Sequence, residues 1–450
     1  MIRRIVVDLI TFMRSPASAG VSAFLGLTTF ACSDAEAQTL PDGVAESALF
    51  QATLDRPSDL GAALRYAAQA KKSGDIEASI GALERLLFYN PSLLDVRYDL
   101  GTLYFRLGSY EMARGYFETV QKSAKTTEEM KERVQEFLDT IEKKLQPDQW
   151  SGFAQTGLRY QTNANLGPTQ QPLLGATRPL NSLSAQPDGN WFGIVALNYV
   201  HDFGNQAGDV FEANILGYDA QQFNVTSFDT GFIDVRVGPR FGILQDALNG
   251  ASIKPYVAIT GASLGGEPYL GSFGGGVTMH LNWADVSFDP YVELRGQAYH
   301  NSTLYPYASG LNGSLTTVAL QAGALINEGV RWQAKLAFNH SADATPWFSY
   351  NRVAFDFWLP LAAPSPWGGR NWTVTPSFGV APWLYNQSNP TTSPFTTERD
   401  LEWRVGVGFD IPVKDSFGLG VQLQYRAINS NIPTNTIRNF SVSAGPTVSF

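Results

Sequence analysis

From residue 150 to the C-terminus, apolar and polar positions alternate with a period of two. In the last eleven residues Phe440, Val442, Ala444, Pro446, Val448 and Phe450 interleave with Ser, Gly and Thr. Successive side chains of a strand point to opposite faces, so each such run is a strand with one apolar and one polar face. The same pattern sets Leu401, Trp403, Val405, Val407, Phe409 and Ile411 against Glu402, Arg404, Gly406, Gly408 and Asp410. It sets Val353, Phe355, Phe357 and Leu359 against Arg352 and Asp356, and Ile233, Val235, Val237 and Phe241 against Asp234, Arg236 and Arg240. About fourteen strands are expected, near 151–160, 190–202, 209–223, 228–243, 252–264, 268–283, 285–299, 314–327, 330–342, 347–361, 371–385, 399–413, 417–428 and 438–450. Between them, long connections (Thr162 to Gly189, Asn301 to Gly313, Gln387 to Glu398) alternate with short ones (Gly204-Asn205, Lys414-Asp415), with Ala362 to Arg370 longer than the pattern allows. An even strand count with long loops on one side and short turns on the other predicts an antiparallel transmembrane β-barrel.

Before residue 150 the period changes. Pro57 and Pro91 are 34 apart, as are Gly74 and Gly108, Glu77 and Glu111, and Leu83 and Phe117. The second copy carries Leu100-Gly101, Tyr104, Gly108, Tyr110, Ala113 and Phe117. Gly101 and Ala113 are small where two helices would cross, and Tyr104 and Phe117 would fill the space beside them. A 34-residue period resembles that of tetratricopeptide repeats, helix pairs that stack into concave binding surfaces. A third amphipathic stretch, Glu128 to Leu145, puts Met130, Val134, Phe137, Leu138 and Ile141 on one face and is expected to cap the stack.

Composition separates the same two parts. Residues 50–148 hold 30 charged side chains in 99 positions, residues 150–450 hold 35 in 301, and all ten tryptophans lie at or after Trp150. The N-terminus has Arg3, Arg4 and Arg14, an uncharged run from Ala17 to Ala31, and the small-x-small triplet Ala35-Glu36-Ala37. This predicts a signal peptide over 1–37, a helical repeat domain over 45–148 facing the periplasm, and an outer-membrane barrel over 150–450. Cys32 is the lone cysteine, and lipidation there is the alternative N-terminal reading. The net charge of −9 argues against a nucleic-acid partner.

No catalytic, cofactor or metal site is expected. Gly261-Ala262-Ser263-Leu264-Gly265 matches the pattern of a nucleophile elbow, but no helical period follows it. His201, His280, His300 and His340 fall on separate strands without metal-ligand spacing. The candidate functional residues are the charges on the lumen-facing side: Arg159, Arg236, Arg240, Arg295, Arg331, Lys335, Arg352, Asp356, Glu402, Arg404 and Arg426, with Glu212, Asp234, Asp289, Glu293 and Asp410 among them. Tyr291, Tyr350 and Trp358 are aromatic candidates for the same lumen. Trp191, Tyr199, Trp283, Trp347, Trp372, Trp383 and Tyr385 are expected in the aromatic girdles at the membrane interfaces.

Termination on Phe450 resembles the C-terminal signature of bacterial outer-membrane barrels, which implies outer-membrane lipid and the barrel assembly machinery as partners. With the repeats, and with Gly157-Leu158-Arg159-Tyr160-Gln161-Thr162-Asn163-Ala164-Asn165-Leu166-Gly167-Pro168, the chain resembles the surface lipoprotein assembly modifier family. That resemblance implies a factor moving a protein or lipoprotein from periplasm to cell surface, with the repeats docking a periplasmic peptide or protein. The alternatives are an exopolysaccharide-export porin and a diffusion porin with an adaptor domain.

Overall fold

The structure is a computed structural model. It describes residues 42–55, 59–73, 75–169, 184–205, 207–243, 250–327, 329–414 and 416–450. The expected signal peptide, Cys32, Pro57 and Gly74 lie outside the described residues. The chain divides into a helical unit that ends at Pro147 and a strand unit that starts at Asp148.

The helical unit contains α1 (Asp42–Asp55), α2 (Leu60–Ser73), α3 (Ile76–Tyr89), α4 (Leu94–Arg106), α5 (Tyr110–Lys122) and α6 (Glu128–Leu145). Asp75 caps α3 by accepting from the Ala78 amide at 2.8 Å, and Thr127 caps α6 through the Met130 amide. Gly108 takes φ +75° between α4 and α5, a conformation that favours glycine and lets the second helix turn back on the first. Leu100, Ala113 and Phe117 are fully buried. A Cβ on Gly101 would lie 2.7–2.9 Å from three atoms of the Phe117 ring, so α4 and α5 meet where only glycine fits. Tyr104 packs at the edge of the same core. Phe117 stacks on Phe137 of α6 at 4.8 Å between ring centroids. Val134 and Ile141 are buried in that cluster, with Met130, Phe137 and Leu138 against it, so α6 does close the end of the pair formed by α4 and α5.

The strand unit is a closed antiparallel barrel of fourteen wall positions. Its strands are β1 (Asp148–Gln161), β2 (Asp188–Asp202), β3 (Val210–Gln222), β4 (Thr230–Gly242), β5 (Ser252–Leu264), β6 (Glu267–Trp283) and β7 (Val286–Tyr299). They continue with β8 (Gly313–Asn327), β9 (Val330–Asp343), β10 (Tyr350–Trp358), β11 (Leu361–Ala363), β12 (Trp372–Tyr385), β13 (Arg399–Lys414), β14 (Phe417–Ser430) and β15 (Ile437–Ser449). β10 and β11 occupy one wall position between β9 and β12. The sequence pattern predicts a single strand there. Pro360 has no N–H to give the ladder, and the strand breaks at Leu359-Pro360.

β1 closes the barrel on β15, from Phe153 opposite Ser449 to Gln161 opposite Ser441. The Gly152–Phe450 and Thr162–Phe440 backbone bonds extend the seam at both ends. Loop length separates the two ends less cleanly than the sequence suggests. β5 and β6, on the side of the long loops, are joined by Gly265-Gly266 alone, with φ +62° and +80°. Two consecutive residues of positive φ make the tightest hairpin, so glycine chemistry overrides the long-loop rule here.

Outward positions are apolar and exposed, among them Leu158, Ile233, Ile259, Leu294, Leu336 and Val405. At about 3.3 Å per residue and a tilt near 45°, a 13-residue strand rises roughly 30 Å, the thickness of a hydrocarbon layer. No described helix is long and apolar enough to cross a membrane.

Candidate functional site

Strand parity puts the sequence-predicted charges opposite the exposed apolar positions, and most of them gather into three groups. The first spans β4, β5 and β7. Arg295 Nη1 meets Asp234 Oδ1 at 2.6 Å, and its Nε donates to Glu293 Oε1 at 2.8 Å. Arg236 reaches Asp234 at 3.0 Å and Glu293 at 3.1 Å, and lies over the Tyr256 ring. Thr260 donates to Asp234 at 2.6 Å and accepts from Arg295, while the Tyr256 hydroxyl donates to Glu293 at 3.0 Å. Two guanidiniums and two carboxylates balance, so this group braces the wall.

The second group lies nearer the end that carries Asp148 and Phe450, where the strand unit starts and stops. Glu212 accepts from Arg240 at 2.7 Å and from Lys254 at 2.6 Å, and Lys254 also donates to Asn214 at 2.7 Å. His280 and Asp289 pair at 2.7 Å toward the same end.

The third group spans β10, β12, β13 and β14. Glu402 is fully buried. Its Oε1 accepts from Arg404 at 2.5 Å and Arg426 at 3.1 Å. Its Oε2 accepts from the Trp383 indole at 3.1 Å and lies 3.9 Å from Arg352. Asp356 holds the other side of Arg404 at 2.5 Å. Arg352 lies over Trp383, 4.8 Å from the ring centroid, and Asn339 accepts from it at 3.3 Å. Three guanidiniums share two carboxylates, so the group carries one net positive charge.

Other predicted residues stand apart. Lys335 lies over the Tyr291 ring at 5.4 Å rather than on a carboxylate. Arg331 sits at the start of β9, its backbone N–H bonded to Pro360. Arg159, on β1, donates to the Tyr218 hydroxyl at 2.8 Å and lies over the Phe192 ring at 4.9 Å.

Asp356, Glu402, Arg404 and Arg426 of the third group, together with Arg159, border one cavity of about 170 Å³. Gln161, Gln422, Gln424, Asn439, Ser441, Ser443, Tyr218 and Trp358 complete much of its wall. It touches both β3 and β10, which are seven wall positions apart in either direction round the barrel. The cavity therefore reaches two opposite walls of the barrel. The segment after β1 forms its outer rim with Ala164 and Leu166. Leu166 adopts φ +49° and packs on Ile428 and Ile437, while the Asn163 side chain donates to the Gly167 and Arg438 carbonyls. That left-handed leucine is held by burial in the mouth.

Several partners escape the sequence reading. Lys254, Tyr256 and Thr260 share the inward face of β5, and their alternation with Ile253, Pro255 and Ile259 is the signal for them. Trp383 belongs to the lumen and not to a girdle, because alternation from the buried Ala381 turns it inward beneath Arg352. Ser263 of the nucleophile-like pattern lies one residue before the end of β5, which runs into the glycine hairpin, so no helix supports it. His201 pairs with Asp148, and His340 with Asn351, on separate strands. Among the described residues, no three His, Cys, Asp or Glu side chains gather as metal ligands would.

No family model and no curated protein matches the sequence. The chain is similar in structure to the outer membrane channel DcaP of Acinetobacter baumannii, with a TM-score of 0.36 and 9% identity over 67% of this chain and 97% of that one. It is also similar to a bacterial polysaccharide outer membrane secretin (TM-score 0.35, 10% identity, 66% and 98% of the two chains). A third similar structure is the anion-selective porin from Comamonas acidovorans (TM-score 0.32, 10% identity, 67% and 99%).

Proposed function

We propose that this protein is an outer-membrane channel for hydrophilic solutes, with a helical adaptor domain on the periplasmic side. The observation that carries the reading is the two-faced barrel wall. Outward residues such as Leu294 and Val405 are exposed and apolar, while inward positions are amides, hydroxyls and paired charges. A wall of that kind suits lipid outside and water within. The helical unit has the period and the small-residue crossing of a tetratricopeptide stack, which supports a docking role for a periplasmic peptide or protein. A lumen where polar side chains from opposite walls line one cavity favours a small solute or a thin extended polymer over a folded protein, so the export-porin and diffusion-porin readings stand ahead of protein translocation.

The test is liposome swelling with purified full-length protein. A channel admits small sugars and organic acids at rates that fall steeply with solute size. Vesicles that stay tight to every solute would overturn the reading. Loss of a single surface protein on gene deletion, with solute entry unchanged, would restore translocation as the better account.

A further inference from the structure

The cavity has chemistry of its own. Among the described residues Arg159 is held by neutral groups, the Tyr218 hydroxyl at 2.8 Å and the faces of Phe192 and Tyr218. No carboxylate among the described residues lies within ion-pair distance of it. The facing group brings Arg404 and Arg426 to the same cavity, with Asp356 and Glu402 between them. The cavity wall therefore carries three guanidiniums and two carboxylates, and Arg352 adds a further positive charge behind Glu402. A guanidinium in a confined space is far better paired with an anion than left to a few waters.

The rest of the wall narrows the anion's identity. Amides and hydroxyls line it, each able both to donate and to accept. Such groups match solute hydroxyls, which also do both, and give nothing special to a bare inorganic ion. The cavity holds on the order of ten waters, the scale of one small polyol or sugar ring.

We propose that this cavity is a binding subsite for a hydroxylated carboxylate, a sugar acid or its like, with Arg159 taking the carboxylate. The amides of β14 and the hydroxyls of β15 take the solute hydroxyls. This deepens the channel reading and rests on it for its transport role, though the binding itself can be measured separately.

The probe is gluconate, with acetate as the carboxylate lacking hydroxyls and sorbitol as the polyol lacking charge. Calorimetric titration of the detergent-solubilised full-length protein reads binding, and bilayer conductance reads the channel. Gluconate is expected to bind at least tenfold more tightly than acetate or sorbitol. Arg159→Gln is expected to weaken gluconate about tenfold or more, as loss of a charge-assisted contact does, while conductance persists. Gln424→Ala, which keeps the charge, should weaken gluconate and leave acetate unchanged. Lys414→Gln, exposed at the far end of β13, should change neither. Equal affinity for acetate and gluconate would overturn the sugar-acid assignment, and unchanged gluconate binding in Arg159→Gln would overturn the site. Intact gluconate binding in a protein that carries no current would refute the channel and leave the subsite standing.

Discussion

Glu402 is the carboxylate that faces all three guanidiniums of the third charge group. Its oxygens meet Arg404 at 2.5 Å, Arg426 at 3.1 Å, the Trp383 indole at 3.1 Å and Arg352 at 3.9 Å, and the side chain is fully buried. Glu402→Gln keeps the volume but leaves three guanidiniums against Asp356 alone. Breaking a buried ion pair from one side costs about 3–5 kcal/mol, because the partner charge stays buried and unpaired. Asp356 still holds Arg404, which points to the lower part of that range. The assay is denaturant unfolding of the refolded protein in lipid vesicles, followed by tryptophan fluorescence. Adding Arg426→Gln should recover part of the loss, since it removes one of the stranded cations; the double-mutant cycle isolates that coupling. A single variant that loses less than about 1 kcal/mol, the worth of an ordinary neutral hydrogen bond, would refute the claim that this pairing holds the wall together. So would a double variant no more stable than the sum of the two singles.

Other consequences follow from the same geometry. Phe117→Ala removes a fully buried ring stacked on Phe137 and should destabilise the helical unit by about 3–5 kcal/mol, read as loss of helical circular dichroism on chemical unfolding. Gly101→Leu should also destabilise it, because its Cβ would lie within 2.9 Å of the Phe117 ring, and Phe117→Leu in the same chain should relieve part of the loss. Tyr104 and Tyr116 both donate to Glu84 Oε1, at 2.6 and 3.1 Å; burial first, and then the Glu84 carboxylate, push the Tyr116 hydroxyl up to about 12. A raised folded value means that this contribution is complete below pH 10 and is lost as pH rises through 12, so Glu84→Gln should move the phenolate absorbance rise to lower pH. Leu294→Arg, on the outward face, should cost about 2–4 kcal/mol in a bilayer, whereas Ser441→Arg in the lumen should cost less and change ion selectivity.

The strands were legible because their signal is local. A period of two needs only one strand's worth of sequence, and β5 runs over Ser252–Leu264, the span its pattern predicts. The inward direction of the charges followed from the same parity. Pairing was not legible, because it is set by neighbours far apart in the chain. Arg295 meets Asp234 across 61 residues, and no feature of either strand alone points to the other. Trp383 shows how composition misleads: a tryptophan near a strand end reads as a girdle residue, and only its place beside Ala381, beneath Arg352, puts it inside. The glycine hairpin after β5 and the break at Pro360 were written in single residues, and they disturb long-range regularities of loop length and strand length that a pattern search trusts.

The reversal potential of the full-length protein in a planar bilayer, between two concentrations of potassium chloride, tests the central claim most directly. The claim is that the inward face forms a water-filled path whose wall, at the cavity lined by Arg159, Arg404 and Arg426, is net positive. It predicts a steady current whose reversal potential favours chloride over potassium, and a smaller chloride preference once Arg159 and Arg426 are both replaced by glutamine. A bilayer that carries no current, or a preference for potassium that survives in the wild-type chain, would contradict it.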